Sequence, residues 1–412
     1  MLNRIIQALL VFGVAATPAA GQLGVPQIGD AGRTLGGVLD QAGASLDPVR
    51  RTLGDAVQSA EQLADARLSR LQSLTRQNRE TIELDRQGNP ARGGELLLTG
   101  ASDEDVARAQ AVGFAVIGRE TLGALDISVV RLAVPSRVSL AKGEATLREL
   151  LPDAAISADT LHYQSGLAPS GGARQAAVPA PAIAGSVGMI DGAPGPAVPV
   201  SLSRGFASGA PKASEHGSAI ASILRLAGVR QIVAADVYGS DPAGGNALAI
   251  ARGLDWLTAQ SCKVVTISLV GPPNPLLARA VSAAQRRGVN IVAAVGNDGP
   301  AAPPAYPASY PGVIAVTGVD GRSRPLIEAG RTTHLDYAAP AADLLAADAS
   351  GRWRAVRGTS YAAPFVAARA AAALTQGSVI PVLDKEALDL GRKGTDASFG
   401  RGLLCASCAR RK

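Results

Sequence analysis

The pattern of apolar and polar positions changes period several times along the chain, and each change marks a different kind of element. Ile5 to Ala16 is an apolar run with Arg4 before it and the small residues Ala19, Ala20 and Gly21 behind it, the layout of an export signal over residues 1–21. The run is short for a bilayer span; a start that is kept and not cleaved is the other reading. Residues 22–45 are Gly-rich and unpatterned, as in a tether. Between 46 and 86 apolar residues recur every three or four positions, at Leu53, Val57, Ala60, Ala64, Leu68 and Leu71, which predicts an amphipathic helix or a helical hairpin. Its polar faces leave two readings, a stalk for a partner and a helix packed on its own protein.

From Glu95 the segments shorten. Glu95–Thr99 reads as a strand, and 102–110 as a helix capped by Ser102 with Asp103, Glu104 and Asp105 in its first turn. Phe114–Ile117 and Ile127–Val134 read as strands, 139–151 as a helix and 155–163 as a strand. Strand, helix, strand, strand, helix, strand is the order of a small α+β ferredoxin-like domain, here residues 93–164. His162 is its only candidate catalytic group. Residues 165–182 are rich in Gly, Pro and Ala, which predicts a protease-sensitive linker.

Beyond the linker, short apolar runs at 186–190, 231–237, 264–270, 289–295 and 313–319 alternate with helical stretches at 216–226, 247–260, 275–287 and 359–374. Strands that are apolar on both faces and separated by helices predict a parallel sheet in a three-layer α/β domain, residues 183–404, with a tail at 405–412. In such sheets functional groups gather beyond the carboxyl ends of the strands.

Composition narrows the classes. A chain of 412 residues has room for two or three domains and a large core. Aromatics are only 3%, so the core must pack small side chains closely. The net charge of +6 is spread along the chain and forms no basic stripe, which predicts no nucleic-acid partner. Three cysteines are too few for a disulfide framework. Cys405 and Cys408 are spaced to close a small loop, and Cys262 reads as a buried thiol.

Four polar residues stand where the sheet rule places chemistry. Asp191 ends a strand in VGMIDGAP, His216 opens a helix in EHGSAIASIL, Asn297 follows a strand in VAAVGNDGP, and Ser360 opens a helix in RGTSYAAPFVAA. A serine hydroxyl is a poor nucleophile at neutral pH, so acyl transfer needs an imidazole to take its proton and a carboxylate to hold that imidazole. A side-chain amide and a helix N-terminal N–H can steady the developing oxyanion. Taken singly, each of these residues reads as a cap, a packing group or a turn.

Taken together, the order Asp, His, Asn, Ser and the strings HGSAIAS, AAVGNDG, ASYPGVIAVTGV and GTSYAAPFVAA resemble the subtilisin-like serine proteases over residues 183–404. LDYAAP and FGRGLL extend the likeness, and the spacings of 25, 81 and 63 residues suit a compact member. The resemblance implies a serine endopeptidase with Ser360 as nucleophile, His216 as general base and acid, Asp191 as orienting carboxylate and Asn297 as oxyanion donor. It implies a substrate strand at Ser268, Leu269 and Val270 facing a wall at Ala294 and Gly296, and hence polypeptide substrates. Gly192 and Ala193 depart from the hydroxyl that usually follows the aspartate, and Ser218 and Ser222 replace the common Thr and Gly. No cofactor and no catalytic metal are expected; structural calcium is left open, with no site assignable.

The resemblance also implies that the ferredoxin-like domain is a propeptide. Its tail would enter the cleft as an intramolecular inhibitor and be cut between Tyr163 and Ile183, away from Pro169, Pro179 and Pro181. A permanently attached accessory domain is the other reading. The expected location is secreted or periplasmic. Two further functional readings stand beside the exported endopeptidase: an inactive subtilisin-fold binding protein with a partner for the helical segment 46–86, and a peptidase acting only on itself or one partner.

Overall fold

The computed structural model describes residues 47–164, 180–406 and 408; the expected signal, the tether and most of the linker lie outside the described residues. Two compact units divide the chain, Met1–Glu61 and Gln62–Lys412. Helix α1 spans Asp47–Gln77. It stops short of the helical segment expected to reach residue 86, because Asn78 closes its last turn and Ile82–Leu84 forms strand β1. The Asn78 side-chain amide donates to the Leu74 carbonyl at 2.9 Å, and the Thr81 N–H donates to the Asn78 carbonyl at 3.0 Å, which turns the chain. Leu68, expected on the inner face, is 43% exposed, whereas Leu63, Leu71 and Leu74 are half-buried.

The small domain continues with β2 (Pro90–Thr99), α2 (Asp103–Ala111), β3 (Ala115–Leu122), β4 (Ile127–Ala133), α3 (Leu140–Leu150) and β5 (Ala155–Thr160). Its antiparallel sheet runs β1-β2-β4-β3, with β5 also on β2. The Ser102 side chain accepts from the Asp105 N–H while the Asp105 carboxylate reaches back to the Ser102 N–H, a capping box that fixes the start of α2. In β2 the consecutive residues Leu96, Leu97 and Leu98 are all fully buried, so the sheet is covered on both faces. Leu96 and Leu98 pack under α2 and α3. Leu97, with Leu122, Leu125, Ile127 and Val129, joins the core of the larger domain.

The chain leaves that sheet at Thr160. The expected strand 155–163 is therefore two strands, β5 and the two-residue β6, Tyr163–Gln164, separated where the His162 N–H donates to the Gly245 carbonyl at 2.8 Å.

The larger domain is built on β7 (Ile183–Asp191), β8 (Leu202–Gly205), β9 (Val229–Asp236), β10 (Val264–Ile267), β12 (Asn290–Ala294), β13 (Ile314–Val319) and β14 (Tyr337–Pro340). These seven strands form one sheet in the order β14-β13-β12-β10-β7-β9-β8, and every neighbouring pair is parallel. The run 264–270 breaks at Ser268, so that β11, Leu269–Val270, leaves the sheet to pair antiparallel with β6. Helices α4 (Glu215–Leu226) and α7 (Ala363–Ala373) cover one face; α5 (Ala247–Ala259) and α6 (Pro275–Arg286) cover the other. Ala363, Ala367, Ala368 and Ala370 in α7 have no exposed surface, so the helix lies close on the sheet, as the scarcity of aromatics demands. The hairpin β15 (Leu344–Ala347) and β16 (Trp353–Val356) leads into the segment before α7, and α8 (Val379–Glu386) packs behind it. Cys405 and Cys408 form a disulfide, and Cys262 is buried and free.

Candidate active site

Asp191 is the last residue of β7, at the carboxyl end of the parallel sheet, and is wholly buried. Ser214 caps α4, its hydroxyl accepting from the Gly217 N–H at 3.2 Å. Glycine is required at 217, since a Cβ there would stand 2.0 Å from the Gly192 carbonyl oxygen. The first turn of α4 thus rests on the Asp191–Gly192 turn and carries His216 onto the carboxylate. His216 Nδ1 lies 2.9 Å from Asp191 Oδ2 and 3.0 Å from Oδ1. A carboxylate only accepts, so Nδ1 carries the proton and Nε2 is left to accept. Nε2 is 3.0 Å from Ser360 Oγ.

Ser360 sits in a single 3-10 turn, Thr359–Tyr361, entered through Gly358 at a φ of 136° that other residues rarely adopt. Both flanking walls fix that turn. The Ser268 hydroxyl donates to the Ser360 carbonyl at 2.9 Å. On the other side the Thr359 N–H donates to Asn297 Oδ1 at 2.9 Å, while the Thr359 hydroxyl accepts from the Gly296 N–H at 3.0 Å and donates to its carbonyl at 3.1 Å. The Asn297 oxygen is thereby committed. Its Nδ2, buried beside the turn, has no hydrogen-bond partner among the described residues. The arrangement holds a hydroxyl, a base oriented by a carboxylate and an unused amide donor at one point, the set that acyl transfer requires.

The other expected site residues fall on the two walls. Leu269 and Val270 pair with Gln164 and Tyr163. Gly296 faces Val270, for a Cβ on it would come within 3.1 Å of the Val270 side chain. Ala294 ends β12 and is fully buried in the core behind that wall. The missing hydroxyl after Asp191 is met by other donors: the Gly192 N–H at 2.8 Å and the Gln164 side-chain amide at 3.0 Å both reach Oδ1. The Ser218 hydroxyl donates to the Ser214 carbonyl at 2.6 Å, and the Ser222 hydroxyl accepts from the Ala347 N–H at 2.9 Å; both are structural ties. His334 donates to the Val313 carbonyl at 2.8 Å, away from these groups. Among the described residues no cluster of three or more His, Cys, Asp or Glu is arranged to hold a metal.

Gln164, Ser214 and Thr359 had no part in the sequence reading. Thr359 and Ser214 adjoin or lie within two residues of a singled-out residue, a usable signal; Gln164 stands just before the linker and carries none.

The family model described as the subtilase family matches residues 204–388, a span that begins after Asp191 and includes His216, Asn297 and Ser360. Over that span the chain is similar to the subtilase family. The minor extracellular protease Epr of Bacillus subtilis is 30% identical over 199 residues, which are 47% of this chain and 30% of that protein. Subtilisin BL of Lederbergia lenta is 34% identical over 150 residues, 36% of this chain and 55% of that protein. Fervidolysin of Fervidobacterium pennivorans, a keratinolytic enzyme, superposes with a TM-score of 0.61 at 17% identity, over 77% of this chain and 61% of that one. That likeness is one of fold. The chain thus spans between 30% and 61% of the lengths of these three relatives.

Proposed function

We propose that this protein is an exported serine endopeptidase that matures by cutting its own chain. The observation that carries the reading is the unbroken hydrogen-bonded series Asp191, His216, Ser360 beside the unpartnered Asn297 amide. Ser360 Oγ attacks the scissile carbonyl carbon as its proton passes to His216 Nε2. The carbonyl oxygen becomes an oxyanion, steadied by Asn297 Nδ2 and the Ser360 N–H. Collapse breaks the C–N bond; the proton on Nε2 goes to the leaving amine, and an acyl ester remains on Ser360. Water, deprotonated by the same imidazole, hydrolyses that ester and returns the serine. Asp191 keeps the proton on Nδ1 throughout. The chemistry uses no cofactor; structural calcium stays an open expectation.

Polypeptide substrates would bind by strand addition to Ser268–Val270, with Gly296 on the opposite wall and Ala294 buried behind it. The chain's own tail supports that reading, since β6 already occupies the edge of β11 and brings Gln164 to Asp191. In this scheme the ferredoxin-like domain is a propeptide whose tail inhibits until it is cut between Tyr163 and Ile183. Export rests on the apolar N-terminal run and on the name of the extracellular Bacillus relative; among the described residues no helix is long and apolar enough to cross a membrane.

The test is to produce the chain from residue 22 as wild type and as Ser360→Ala and to follow both by intact mass and fluorophosphonate labelling. Cleavage between Tyr163 and Ile183 in the wild type alone, with the label on the fragment holding Ser360, is the expected result. Two folded proteins that are neither cut nor labelled would favour a binding protein on a subtilase fold.

A further inference from the structure

The second half of α1, from Gln62 onward, touches the cleft at two points that the reading of the active site leaves unused. Arg67 Nε lies 3.2 Å and Arg70 Nη2 2.5 Å from the two oxygens of Asp298, the residue directly after Asn297. That carboxylate keeps only 20% of its side chain exposed. One turn earlier, Leu63 lies over Gly299 so closely that a Cβ on Gly299 would come within 3.0 Å of the leucine side chain. One turn later, Leu74 packs with Ile82, Leu161 and Ala243 in a small cluster that includes Tyr163. Tyr163 is the residue of β6 paired with Val270. Burial pushes its phenol well above the usual range, while the charges of Arg70 and Arg67 pull the other way. Leu63, Arg67 and Leu74 share one stripe at helical spacing. A single helix face therefore covers both the loop that carries Asn297 and the strand that lies in the cleft.

We propose that residues 62–77 are an inhibitory strap, docked on the rim formed by Asp298, Gly299 and Tyr163, which holds the tail in the cleft after the chain is cut. The inference rests on the protease reading above. A cut within residues 165–182 frees the tail at one end only, and β6 by itself is two residue pairs. The strap is joined to the same domain through the turn at Asn78–Thr81, so the tail and the strap hold the subtilase domain together, each raising the effective concentration of the other. Loss of the strap multiplies the rate at which the tail leaves. The occupant of this rim is the chain's own helix because a pair of arginines on it meets the acidic group there.

Arg67→Glu with Arg70→Glu in the full chain reverses the charge on a partly exposed helix face and removes no core side chain. In a Ser360→Ala background, amide hydrogen exchange at residues 298–299 and at 163–164 should quicken about tenfold in the double variant, and adding Asp298→Arg should restore protection. In the active chain, fluorophosphonate labelling of Ser360 should reach completion about tenfold sooner after self-cutting. Unchanged exchange and unchanged labelling overturn the strap. So does a wild-type helix 62–77 that already exchanges as a free peptide, as one awaiting another partner would. Quickened exchange with no label in any form, wild type included, supports the docking contact and sinks the protease reading, so the two fail separately.

Discussion

The ferredoxin-like domain meets the larger domain in two regions that differ in kind. One is broad. Leu97, Leu122, Leu125, Ile127 and Val129 share a core with α5 and α6, and polar groups stitch the edges of that patch. Asp159 accepts from the Leu248 N–H at the start of α5 at 2.9 Å, Asn274 donates to the Ala158 carbonyl at 2.9 Å, and Arg252 makes a two-point pair with Glu120. The other region is narrow: two residue pairs between β6 and β11, and one glutamine amide on Asp191. The broad contact lies on the helices, away from Ser360, and can supply affinity without touching chemistry. The narrow one supplies little affinity and lies on the strand proposed to bind substrate. On the proposed reading affinity and inhibition are carried by different residues, and variants should separate them.

The largest separation is expected at Asn297. Asn297→Ala should cut turnover roughly 10²–10³-fold, a magnitude known for the equivalent donor in a subtilisin and carried over to this chain as such. It should leave docking of the small domain unchanged. Steady-state hydrolysis of a peptide substrate by the matured protein measures the first, and denaturant melting of the Ser360→Ala chain the second. An unchanged rate would mean that another donor forms the oxyanion hole.

The converse variant is Asn274→Ala. The Asn274 side chain is buried, caps α6 by accepting from the Leu276 and Leu277 N–H groups, and also donates to the small domain at Ala158 and Thr160. Losing a cap and two buried hydrogen bonds should lower stability by about 2–3 kcal/mol. Once the small domain has left, the per-site rate at Ser360 should be close to that of wild type. A large fall in that rate would show that the two regions are coupled.

The sequence made these two regions unequally legible. The seven-stranded sheet follows from apolar runs that alternate with helices, and the groups of the active site lie at strand ends because parallel strands deliver them there. The Ser102 cap of α2 and its acidic first turn were visible; the return bond from the Asp105 carboxylate was seen only in the structure. The ends of two strands were not: 155–163 and 264–270 read as continuous because their apolar pattern is continuous, and they break at His162 and Ser268 because the chain there turns to make the β6–β11 pair. A contact between segments more than 100 residues apart leaves no local period. Gln164 and the arginines of α1 were unreadable for the same reason, their partners Asp191 and Asp298 being set by tertiary placement. The strand Ile82–Leu84 was taken into a helical segment because three residues are too few to show a period of two.

Two buried groups in the broad region should make docking depend on pH in opposite senses. Burial pushes the Asp159 carboxyl up to about 7, against the Leu248 N–H that pulls it down. Burial pushes the His162 imidazole down to about 4, and neither ring nitrogen has a partner of good geometry. Between roughly pH 4 and 7 an exposed aspartate is ionised while the docked one is protonated, so its contribution weakens docking as pH rises. Between roughly pH 4 and 6.5 an exposed histidine is charged while the docked one is neutral, so its contribution weakens docking as pH falls. The two offset each other across that window. Asp159→Asn should leave the histidine's slope, with docking falling as pH drops, and His162→Leu should leave the aspartate's slope of opposite sign. Each slope approaches tenfold per pH unit at most. Melting of the two variants in the Ser360→Ala chain from pH 4 to 7 checks it, and parallel profiles would refute the assignment.

The smallest expected effect tests the narrow region itself. The Gln164 amide reaches Asp191 Oδ1 at 3.0 Å and the Ser214 hydroxyl at 3.3 Å, so the tail occupies hydrogen-bonding capacity of the carboxylate that orients His216. Gln164→Ala gives up one good bond to a charged group and one long one, while the β6–β11 main-chain pairing stays. Active enzyme should appear about fivefold sooner after self-cutting, the equivalent of about 1 kcal/mol. The melting midpoint of the Ser360→Ala chain should hardly move, since that stability resides in the broad contact. Gln164→Glu should act in the same direction and further, because it sets a second carboxylate against Asp191. If Gln164→Ala instead lowered the melting midpoint as much as Asn274→Ala does, the tail would be part of the affinity contact and the division between the two regions would fall.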